Sequence, residues 1–279
     1  MQFFIHTIEA QGHAAPLRCY IPDAAPMGHY QTDRPAVIVF PGGGYAITYA
    51  GEAEPIALGF AAAGICAFVL DYSCMPVRFP VQLLQGLCAV RYVRDNAEKF
   101  GIDPHNIGTL GFSAGGHLCA TVGTLWKHGC IDGMLPDEQR SLYRPDKLFL
   151  CYPVISAGEA CDVESFANLL GRDALRDREL METVSAERQV DTDTPPAFLW
   201  HTAEDNGVSV RNSLEFALAL ACKGVGHELH VYPHGDHGLC LGNHVTGDVP
   251  FGAGHVAQAW LGDAIRFAYD TEILHKKES

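Results

Sequence analysis

The 279-residue sequence predicts an α/β fold, with a mostly parallel central sheet and helices on both of its faces. From residue 36 onward, short and continuously apolar segments recur, a pattern typical of strands buried on both sides of a parallel sheet. Helix-like segments separate these strands, and glycine or proline marks many of the boundaries. Such alternation places parallel strands side by side. Since α/β chains of this length often form one domain, we expect a single domain over residues 1–279.

The individual strands are predicted from their apolar runs. Two short N-terminal runs, residues 2–8 and 17–21, suit a hairpin or meander. The buried strands that follow are expected at residues 36–40, 65–70, 106–110, 147–152, 197–201 and 227–232. Because the first of these runs has no polar alternation, we expect it in the interior of the sheet.

The helices are predicted from apolar residues that recur at steps of three and four. In residues 80–97, Leu83, Leu87 and Val90 share one face, and Gly101 is expected to end the helix. The other helices are expected at residues 54–63, 213–222 and 255–269, and directly after Ser113.

Residues 156–194 interrupt the alternation of strands and helices. This segment is polar and helix-prone, and it carries a cluster of charges between Arg172 and Glu179. We interpret it as a short, solvated helical insertion near the functional site. A lid over the pocket is the alternative.

The composition is that of a globular protein with an acidic surface. Hydrophobic residues make up 48% of the chain, charged residues 19%, and the formal net charge is −14. An excess of carboxylates repels phosphate backbones and anionic lipid, so we expect neither a nucleic acid nor a membrane as partner. No apolar run reaches the roughly 18 residues of a transmembrane helix, and the first residues lack the basic start of a signal peptide. The expected partner is therefore a small molecule.

The ten cysteines are scattered along the chain, and none belongs to a C-x-x-C pair. Most lie in apolar runs, where a free cysteine packs like a small hydrophobic side chain. Together with the missing signal sequence, this usage favours the reducing cytoplasm. The sequence leaves the oligomeric state open, and a homo-oligomer remains among the options.

The segment Gly111–Gly115 fits the G-x-S-x-G pattern of a nucleophile elbow, with Ser113 at its centre. In this turn, a strand passes sharply into a helix and lifts the serine hydroxyl above the sheet. Glycine is needed two residues to either side, because a Cβ there would crowd the neighbouring strand or helix. The pentapeptide alone is about as consistent with an ordinary Gly/Ser-rich turn, so its interpretation depends on the rest of the chain.

A serine nucleophile needs a base that takes its proton and a carboxylate that orients the base. On a sheet of this kind, the acid and then the histidine are expected later in the chain, on loops after late strands. Residues 202–208 follow the strand that ends at His201, and residues 233–239 follow the strand that ends at Tyr232. Both loops lie at the C-terminal edge of the sheet, which also carries Ser113.

Each loop offers one preferred residue and one rival. Asp205 is the predicted acid because the D-x-x-V spacing places it at the turn, and Glu204 is its rival. His237 is the predicted base because Gly238 lets the chain turn beside it, and His234 is its rival.

The two histidines of this loop also admit a metal-site interpretation. However, His234 and His237 lie three residues apart on a glycine-containing loop, which is poor metal-ligand geometry, and no third ligand is suitably spaced. We therefore expect no metal ion, and the serine mechanism requires no organic cofactor.

A run of glycines, Gly42 to Gly44, follows the strand at residues 36–40 and exposes a bare backbone that can approach a substrate. Backbone N–H groups aimed at a developing negative charge form an oxyanion hole, and the residue after the nucleophile, here Ala114, is the usual second source. A phosphate-binding loop is disfavoured, because the chain lacks both the G-K-[ST] ending and the acidic residue of a dinucleotide-binding unit.

Several motifs together carry a family resemblance. They are Pro41–Tyr45, Arg91–Arg94, Phe100–Pro104, Gly111–Leu118, His201–Asp205 and His237–Leu239. From about residue 36 to the C-terminus, the chain resembles α/β-hydrolases of the esterase/lipase kind, near the acetyl-xylan-esterase-like and feruloyl-esterase-like bacterial branch. The motifs are specific for the fold and for a Ser-His-Asp site, and much less specific for the substrate.

The resemblance implies that Ser113 is the nucleophile, that His237 is the base and that Asp205 orients it. It also implies that Gly43, Gly44 and Ala114 donate to the oxyanion. One departure concerns Pro41, since many relatives begin the glycine loop with histidine. Proline has no side-chain donor to support the loop, so the loop must be held differently.

The expected activity is hydrolysis of a carboxylic ester through an acyl-enzyme. By analogy with the resembled family, the expected substrates are acetyl esters of carbohydrates. Tyr45 and Tyr152 follow strand ends on the catalytic edge, and we expect them either to wall a small acyl pocket or to pack in the core. Two alternatives remain: an amide hydrolase or peptidase on the same fold, such as an arylformamidase, and a ligand-binding protein without activity.

Overall fold

The structure, a computed structural model that describes residues 1–23, 33–247 and 254–274, contains one eight-stranded sheet. The predicted domain, residues 1–279, includes short stretches outside these ranges. The strands are β1 (Gln2–Ala10), β2 (His13–Ile21), β3 (Arg34–Phe40), β4 (Cys66–Leu70), β5 (Ile102–Phe112), β6 (Lys147–Cys151), β7 (Ala197–Thr202) and β8 (His227–Tyr232). They are ordered β1-β2-β4-β3-β5-β6-β7-β8 across the sheet.

Strand direction divides the sheet into two parts. The hairpin β1–β2 is antiparallel, and β2 also pairs antiparallel with β4. All pairs from β4 through β3 to β8 are parallel. The prediction of a mostly parallel sheet is confirmed, and the N-terminal hairpin forms its antiparallel edge.

Helices connect the parallel strands. They are α1 (Glu54–Ala62), α2 (Val81–Asp95), α3 (Ala97–Phe100), α4 (Ala114–Thr124), α5 (Val163–Leu170), α6 (Arg178–Val184), α7 (Arg211–Cys222) and α8 (Trp260–Tyr269). The predicted helix over residues 80–97 is interrupted at Asn96, and Gly101 ends α3 in the left-handed conformation. Within the described ranges, no helix is both long and apolar enough to cross a membrane.

Both faces of the sheet are covered, as the sequence predicts. On one face, Leu87 of α2, Leu118 of α4 and Leu220 of α7 belong to a large buried cluster. On the other face, Phe60 of α1 and Trp260 of α8 belong to a second cluster. Together with the parallel sheet, these two layers form an α/β-hydrolase fold.

Residues 156–194 form the predicted helical insertion, which contains α5 and α6. Phe166 and Val184 pack in a small apolar cluster of their own. Most of the charged residues of the segment are exposed, and Arg172 pairs with Glu164 at the surface. Asp177 begins α6 by accepting hydrogen bonds from the first backbone N–H groups of the helix.

The C-terminal ends of β3, β5, β6, β7 and β8 meet at one edge of the sheet. In parallel α/β sheets, ligands bind at this edge. Each of these strands continues into a loop that carries a candidate functional residue.

Candidate active site

Ser113 lies in a sharp turn between β5 and α4, with a φ angle of 52° and a ψ angle of −120°. This strained conformation is the one expected of a nucleophile elbow. A Cβ on Gly111 would lie 2.0 Å from the Gly115 oxygen, and one on Gly115 would lie 2.1 Å from the Phe40 oxygen. The close approach of helix and strands therefore requires both glycines, as the sequence predicts.

The structure brings the three predicted catalytic side chains together in one hydrogen-bonded chain. His237 Nε2 lies 2.8 Å from Ser113 Oγ, and His237 Nδ1 lies 2.7 Å from Asp205 Oδ2. The serine and the aspartate are buried, whereas about a quarter of the His237 side chain is exposed, at 26%. The histidine is therefore the member that contacts the open side of the site.

Asp205 is held by four hydrogen-bond donors. The backbone N–H groups of Gly207 and Val208 donate to Oδ1 at 2.9 and 2.8 Å, as in an Asx turn. The ring N–H groups of His237 and His201 both reach Oδ2, at 2.7 and 3.2 Å. Burial alone would raise the pKa of Asp205, but the hydrogen bonds from the two histidines and the His237 charge hold that pKa well below its usual range. The carboxylate is therefore ionised at any pH at which the protein is expected to work.

His201 is a site residue that sequence reasoning did not assign. It is the last residue but one of β7 and is fully buried. Its Nδ1 lies 2.8 Å from Ser213 Oγ, and its Nε2 lies 2.9 Å from the Val208 oxygen. Since Nε2 faces only acceptors, its hydrogen points to them, and the Ser213 hydroxyl donates to Nδ1. The only sequence signal was a histidine four residues before the predicted acid.

The pKa of His237 lies above its ordinary value. Burial lowers it, but the hydrogen bond and the negative charge of Asp205 outweigh burial, and Glu52 and Asp162 add to the rise. The neutral ring that a general base needs thus forms at a higher pH than for a free histidine.

The two rival residues pair with each other at the surface. His234 Nδ1 lies 3.0 Å from Glu204 Oε1, and their side chains are 73% and 60% exposed. Neither side chain is part of the chain of hydrogen bonds at Ser113. Among the described residues, no group of three or more histidine, cysteine or carboxylate side chains is arranged to hold a metal ion.

The glycine loop faces Ser113 across the site. Gly43 and Gly44 line the cavity with φ angles of 120° and 62°, which disfavour any residue with a side chain. Ala114 is the first residue of α4, so its N–H has no acceptor within the helix. These three predicted donors thus lie around the serine.

Side chains from three other segments hold this loop. The Tyr72 hydroxyl donates to the Pro41 oxygen at 2.7 Å, and Asn168 of the insertion donates to the Gly44 oxygen at 2.9 Å. The Gly42 N–H donates to Glu52 Oε2 at 2.7 Å. Sequence reasoning missed Glu52, which lies in a 3-10 turn (Ala50–Glu52) outside any apolar pattern.

The cavity beside Ser113 has a volume of about 370 Å³, near the small end of ligand pockets, which span roughly 300–1,000 Å³. Ile47, Tyr49 and Val208 supply apolar walls, and Asp162 and Ser165 of the insertion supply polar atoms. The insertion is therefore part of the wall of the site.

Tyr45 and Tyr152 are placed differently from the pocket-wall prediction. Both are about 1–2% exposed, and neither is among the residues that line the cavity. The Tyr45 hydroxyl donates to His117 Nδ1 at 2.7 Å, and the Tyr152 hydroxyl donates to Glu52 Oε1 at 2.6 Å. Buried phenols need such partners, and these partners lie under the site. The structure therefore places both side chains in the core, which is the second of the two expectations.

This arrangement has the components of acyl transfer. A hydroxyl, an imidazole and an ionised carboxylate in series can move the serine proton to a leaving group. Backbone N–H groups opposite the serine can stabilise an oxyanion.

Comparison with known proteins agrees with this geometry. The BD-FAE family model matches residues 24–220, a span that contains Ser113 and Asp205 and ends before His237. The endo-1,4-beta-xylanase B of Butyrivibrio fibrisolvens is 38% identical over 75% of this chain and 33% of its own length. The acetylxylan esterase of Xylanibacter ruminicola is 31% identical over 82% of this chain and 44% of its own length. The chain thus spans less than half the length of these two relatives.

Solved structures are similar over nearly the whole chain. An acetyl ester-xyloside bifunctional hydrolase from Caldicellulosiruptor lactoaceticus is 40% identical with a TM-score of 0.78, covering 91% of this chain and 87% of that one. The carboxylesterase Cest-2923 from Lactobacillus plantarum is 27% identical with a TM-score of 0.81, covering 99% and 100%. The chain therefore belongs to the BD-FAE family, and its fold is that of the acetylxylan-esterase-like α/β-hydrolases.

Proposed function

We propose that the protein hydrolyses carboxylic esters through an acyl-enzyme on Ser113, and that its substrates are acetyl esters of carbohydrates. The observation that carries the proposal is the continuous chain from Ser113 Oγ to His237 Nε2 and from His237 Nδ1 to Asp205 Oδ2. A hydrogen-bonded series of this kind beside a glycine loop is a complete apparatus for acyl transfer.

The proposed reaction has two stages. Ser113 Oγ attacks the ester carbonyl while His237 Nε2 accepts its proton, and the N–H groups of Gly43, Gly44 and Ala114 stabilise the oxyanion. The imidazolium then protonates the departing alcohol, which leaves the acyl group on the serine. In the second stage, His237 removes a proton from water, and the resulting attack releases the acid and restores Ser113.

The small cavity supports a short acyl group. Ile47 and Val208 narrow the space beside the glycine loop, and about 370 Å³ must hold both the acyl group and the part of the alcohol next to it. Each further methylene would have to find room in that volume, so we expect acetate esters to be preferred.

The polar and aromatic residues of the cavity support a hydroxyl-rich alcohol. Asp162 and Ser165 line the cavity, and their side chains already share a hydrogen bond at 2.5 Å. The Tyr49 side chain is 46% exposed at the same cavity and offers a ring face to a sugar. Two similar proteins, the acetylxylan esterase of Xylanibacter ruminicola and the acetyl ester-xyloside hydrolase of Caldicellulosiruptor lactoaceticus, are named for the same class of substrate.

The test measures hydrolysis of p-nitrophenyl esters from acetate to octanoate, and acetate release from acetylated xylo-oligosaccharides. We expect acetate to give the highest kcat/KM, and Ser113→Ala to lose roughly 10⁴- to 10⁶-fold in kcat. His237→Ala should match that loss. His234→Ala is the matched control, because His234 pairs with Glu204 at the surface, and it should retain wild-type activity.

Three results would contradict the proposal. An octanoate ester that is cleaved much faster than acetate would refute the short acyl pocket. A wild-type protein that cleaves anilides or formamides but no ester would assign the same residues to amide hydrolysis. Absence of labelling by a serine-directed fluorophosphonate would favour a ligand-binding role without catalysis.

A further inference from the structure

We propose that Glu52 is a positioning residue for the reaction: it fixes the oxyanion loop (residues 41–45) and, through Tyr152, ties this loop to the histidine loop (residues 233–242). The inference rests on the proposed ester hydrolysis, because it concerns how the oxyanion hole is held. It also answers the question raised by Pro41, which has no N–H and no side-chain donor to support the loop.

The two carboxylate oxygens of Glu52 serve two different loops. Oε2 accepts the Gly42 N–H at 2.7 Å, and Oε1 accepts the Tyr152 hydroxyl at 2.6 Å. The Tyr152 oxygen in turn accepts the backbone N–H of Cys240, in the histidine loop, at 3.1 Å. A single buried series of hydrogen bonds therefore runs from the oxyanion loop to the segment that carries His237.

Glu52 is 3% exposed, and both of its partners are donors. The ionised form suits these partners best, because both carboxylate oxygens then accept a hydrogen bond. Burial raises the pKa of Glu52, while the hydrogen bonds from Tyr152 and Gly42 and the His237 charge oppose that rise. Since a buried carboxylate is expensive, its place between two functional loops needs an explanation beyond packing.

The position of Glu52 is coupled sterically to the nucleophile. A Cβ on Gly42 would lie 2.7 Å from Glu52 Oε2 and 3.0 Å from Ser113 Cβ. Gly42 thus packs closely between the Glu52 carboxylate and Ser113, with no room for a side chain. The hydrogen bond to Glu52 orients the peptide group between Pro41 and Gly42. This peptide group directly precedes Gly43 and Gly44, and the N–H groups of these two glycines must point at the oxyanion.

Tyr152 extends this effect to the base. Its ring packs edge-on against His237, with ring centroids 5.0 Å apart, and its backbone is held at a φ angle of 35°. A tyrosine adopts this conformation only when its surroundings enforce it. The hydroxyl bonds to Glu52 and Cys240 supply part of that enforcement.

The experiment compares kcat and KM for acetate esters in wild type, Glu52→Ala, Glu52→Gln and Tyr152→Phe. Glutamine can accept the Gly42 N–H through its oxygen, but its NH₂ group then replaces the acceptor of the Tyr152 hydroxyl. We expect kcat to fall about 10²- to 10³-fold in Glu52→Ala, as for loss of one oxyanion donor, and less in Glu52→Gln. KM should change little, because the oxyanion exists only in the transition state.

Two further readouts separate positioning from simple destabilisation. A trifluoromethyl ketone, which forms a tetrahedral adduct with the serine, should lose affinity for Glu52→Ala by about the same factor as kcat. In Glu52→Gln the ascending limb of the kcat/KM profile should move to lower pH, because one of the three carboxylates that raise the pKa of His237 is removed while Asp205 and Asp162 remain.

Asn106→Ala is the matched control. Asn106 is also buried, and it donates to the Ala268 oxygen at 3.1 Å from the middle of β5. At the ~3.3 Å rise of a strand, it lies roughly 20 Å from Ser113. It should lower Tm without lowering kcat. If Glu52→Ala does not fold, Glu52→Gln and Tyr152→Phe decide the question.

The outcomes distinguish this inference from the proposed function. An active wild type that needs Ser113, together with unchanged kcat in Glu52→Gln and Tyr152→Phe, overturns the role of Glu52 alone. Losses of kcat that Asn106→Ala reproduces at an equal drop in Tm overturn it as well. A wild type without hydrolase activity overturns the proposed function and this inference with it.

Discussion

Replacement of Asp205 by asparagine tests the proposed mechanism with almost no change of shape. The carboxylate receives two donors on each oxygen, from Gly207 and Val208 on one side and from His237 and His201 on the other. An asparagine must turn its NH₂ group toward one of these pairs. Backbone amides cannot give up their hydrogens, whereas an imidazole can move its proton to the other nitrogen, so the NH₂ group is expected to face the histidines.

That orientation disables the base. With the asparagine NH₂ donating to Nδ1, the proton of His237 moves to Nε2, which lies 2.8 Å from Ser113 Oγ and must be free to accept. The wrong tautomer in serine hydrolases costs about 10⁴-fold in kcat, which corresponds to about 5 kcal/mol of transition-state stabilisation. Stability should fall much less, by about 1–3 kcal/mol, because only one pair of donors faces a poor partner.

The assay measures kcat for p-nitrophenyl acetate across pH, together with the midpoint of urea unfolding. In wild type, kcat/KM should decline as the pH falls through the pKa of His237, which Asp205 raises, so the decline begins above the ordinary histidine value of 6.5. In Asp205→Asn the decline of kcat/KM should move to lower pH, and the maximum value of kcat/KM should fall sharply. Glu204→Gln is the matched control one residue away and should keep both the wild-type pH dependence and the wild-type maximum. If Asp205→Asn retains kcat within about tenfold, Asp205 does not orient the base, and the mechanism proposed above is wrong.

Two other substitutions test the surroundings of the site. Gly115→Ala should abolish activity and lower Tm strongly, because its Cβ would lie 2.1 Å from the Phe40 oxygen. A Gly262→Ala control in α8, where a Cβ meets nothing within 4 Å, should keep kcat. An active Gly115→Ala would show that the strand and helix can separate. His201→Phe fills the same buried space but removes one donor to Asp205, so kcat should fall about tenfold. The control Ser213→Ala leaves the imidazole in place, so its loss of kcat should be smaller. Equal losses of kcat in the two variants would contradict a direct effect of His201 on Asp205.

The sequence was sufficient where the determining contacts are local or repeat along the chain. The apolar runs placed the parallel strands to within a few residues, and the G-x-S-x-G spacing located the turn at Ser113. The loops of Asp205 and His237 followed from one rule, that parallel strands end at the same edge. Boundaries were less accurate: β5 begins at Ile102, four residues before the predicted start, although the strand contains Pro104.

The residues that were missed or misplaced act through contacts that no spacing rule describes. Glu52 and Tyr152 are 100 positions apart, and His201 contacts its acid from inside a strand whose apolar pattern gave it no special mark. Tyr152 was correctly placed at a strand end on the catalytic edge. The direction of its side chain, however, depends on a backbone conformation that tyrosine rarely adopts, so sequence could not distinguish a pocket wall from a buried support.

The backbone strain in the structure shows why these contacts are concentrated at the site. Of the five non-glycine residues with positive φ in the described ranges, only Gln11 lies away from the site, in the β1–β2 turn; the others are Tyr45, Ser113, Tyr152 and Cys240. Such residues cost about 1–3 kcal/mol each and persist only where neighbouring groups hold them.

The groups that hold these strained residues are distant in sequence. The Ser113 N–H donates to the Cys151 oxygen, and the Cys240 oxygen accepts the Trp260 indole N–H at 2.9 Å. Tyr152 is held at both ends, by its N–H to the Trp200 oxygen at 2.7 Å and by its hydroxyl to Glu52. A site assembled on strained turns therefore requires a second layer of long-range hydrogen bonds. In this protein, that layer contains the buried carboxylate that compensates for Pro41.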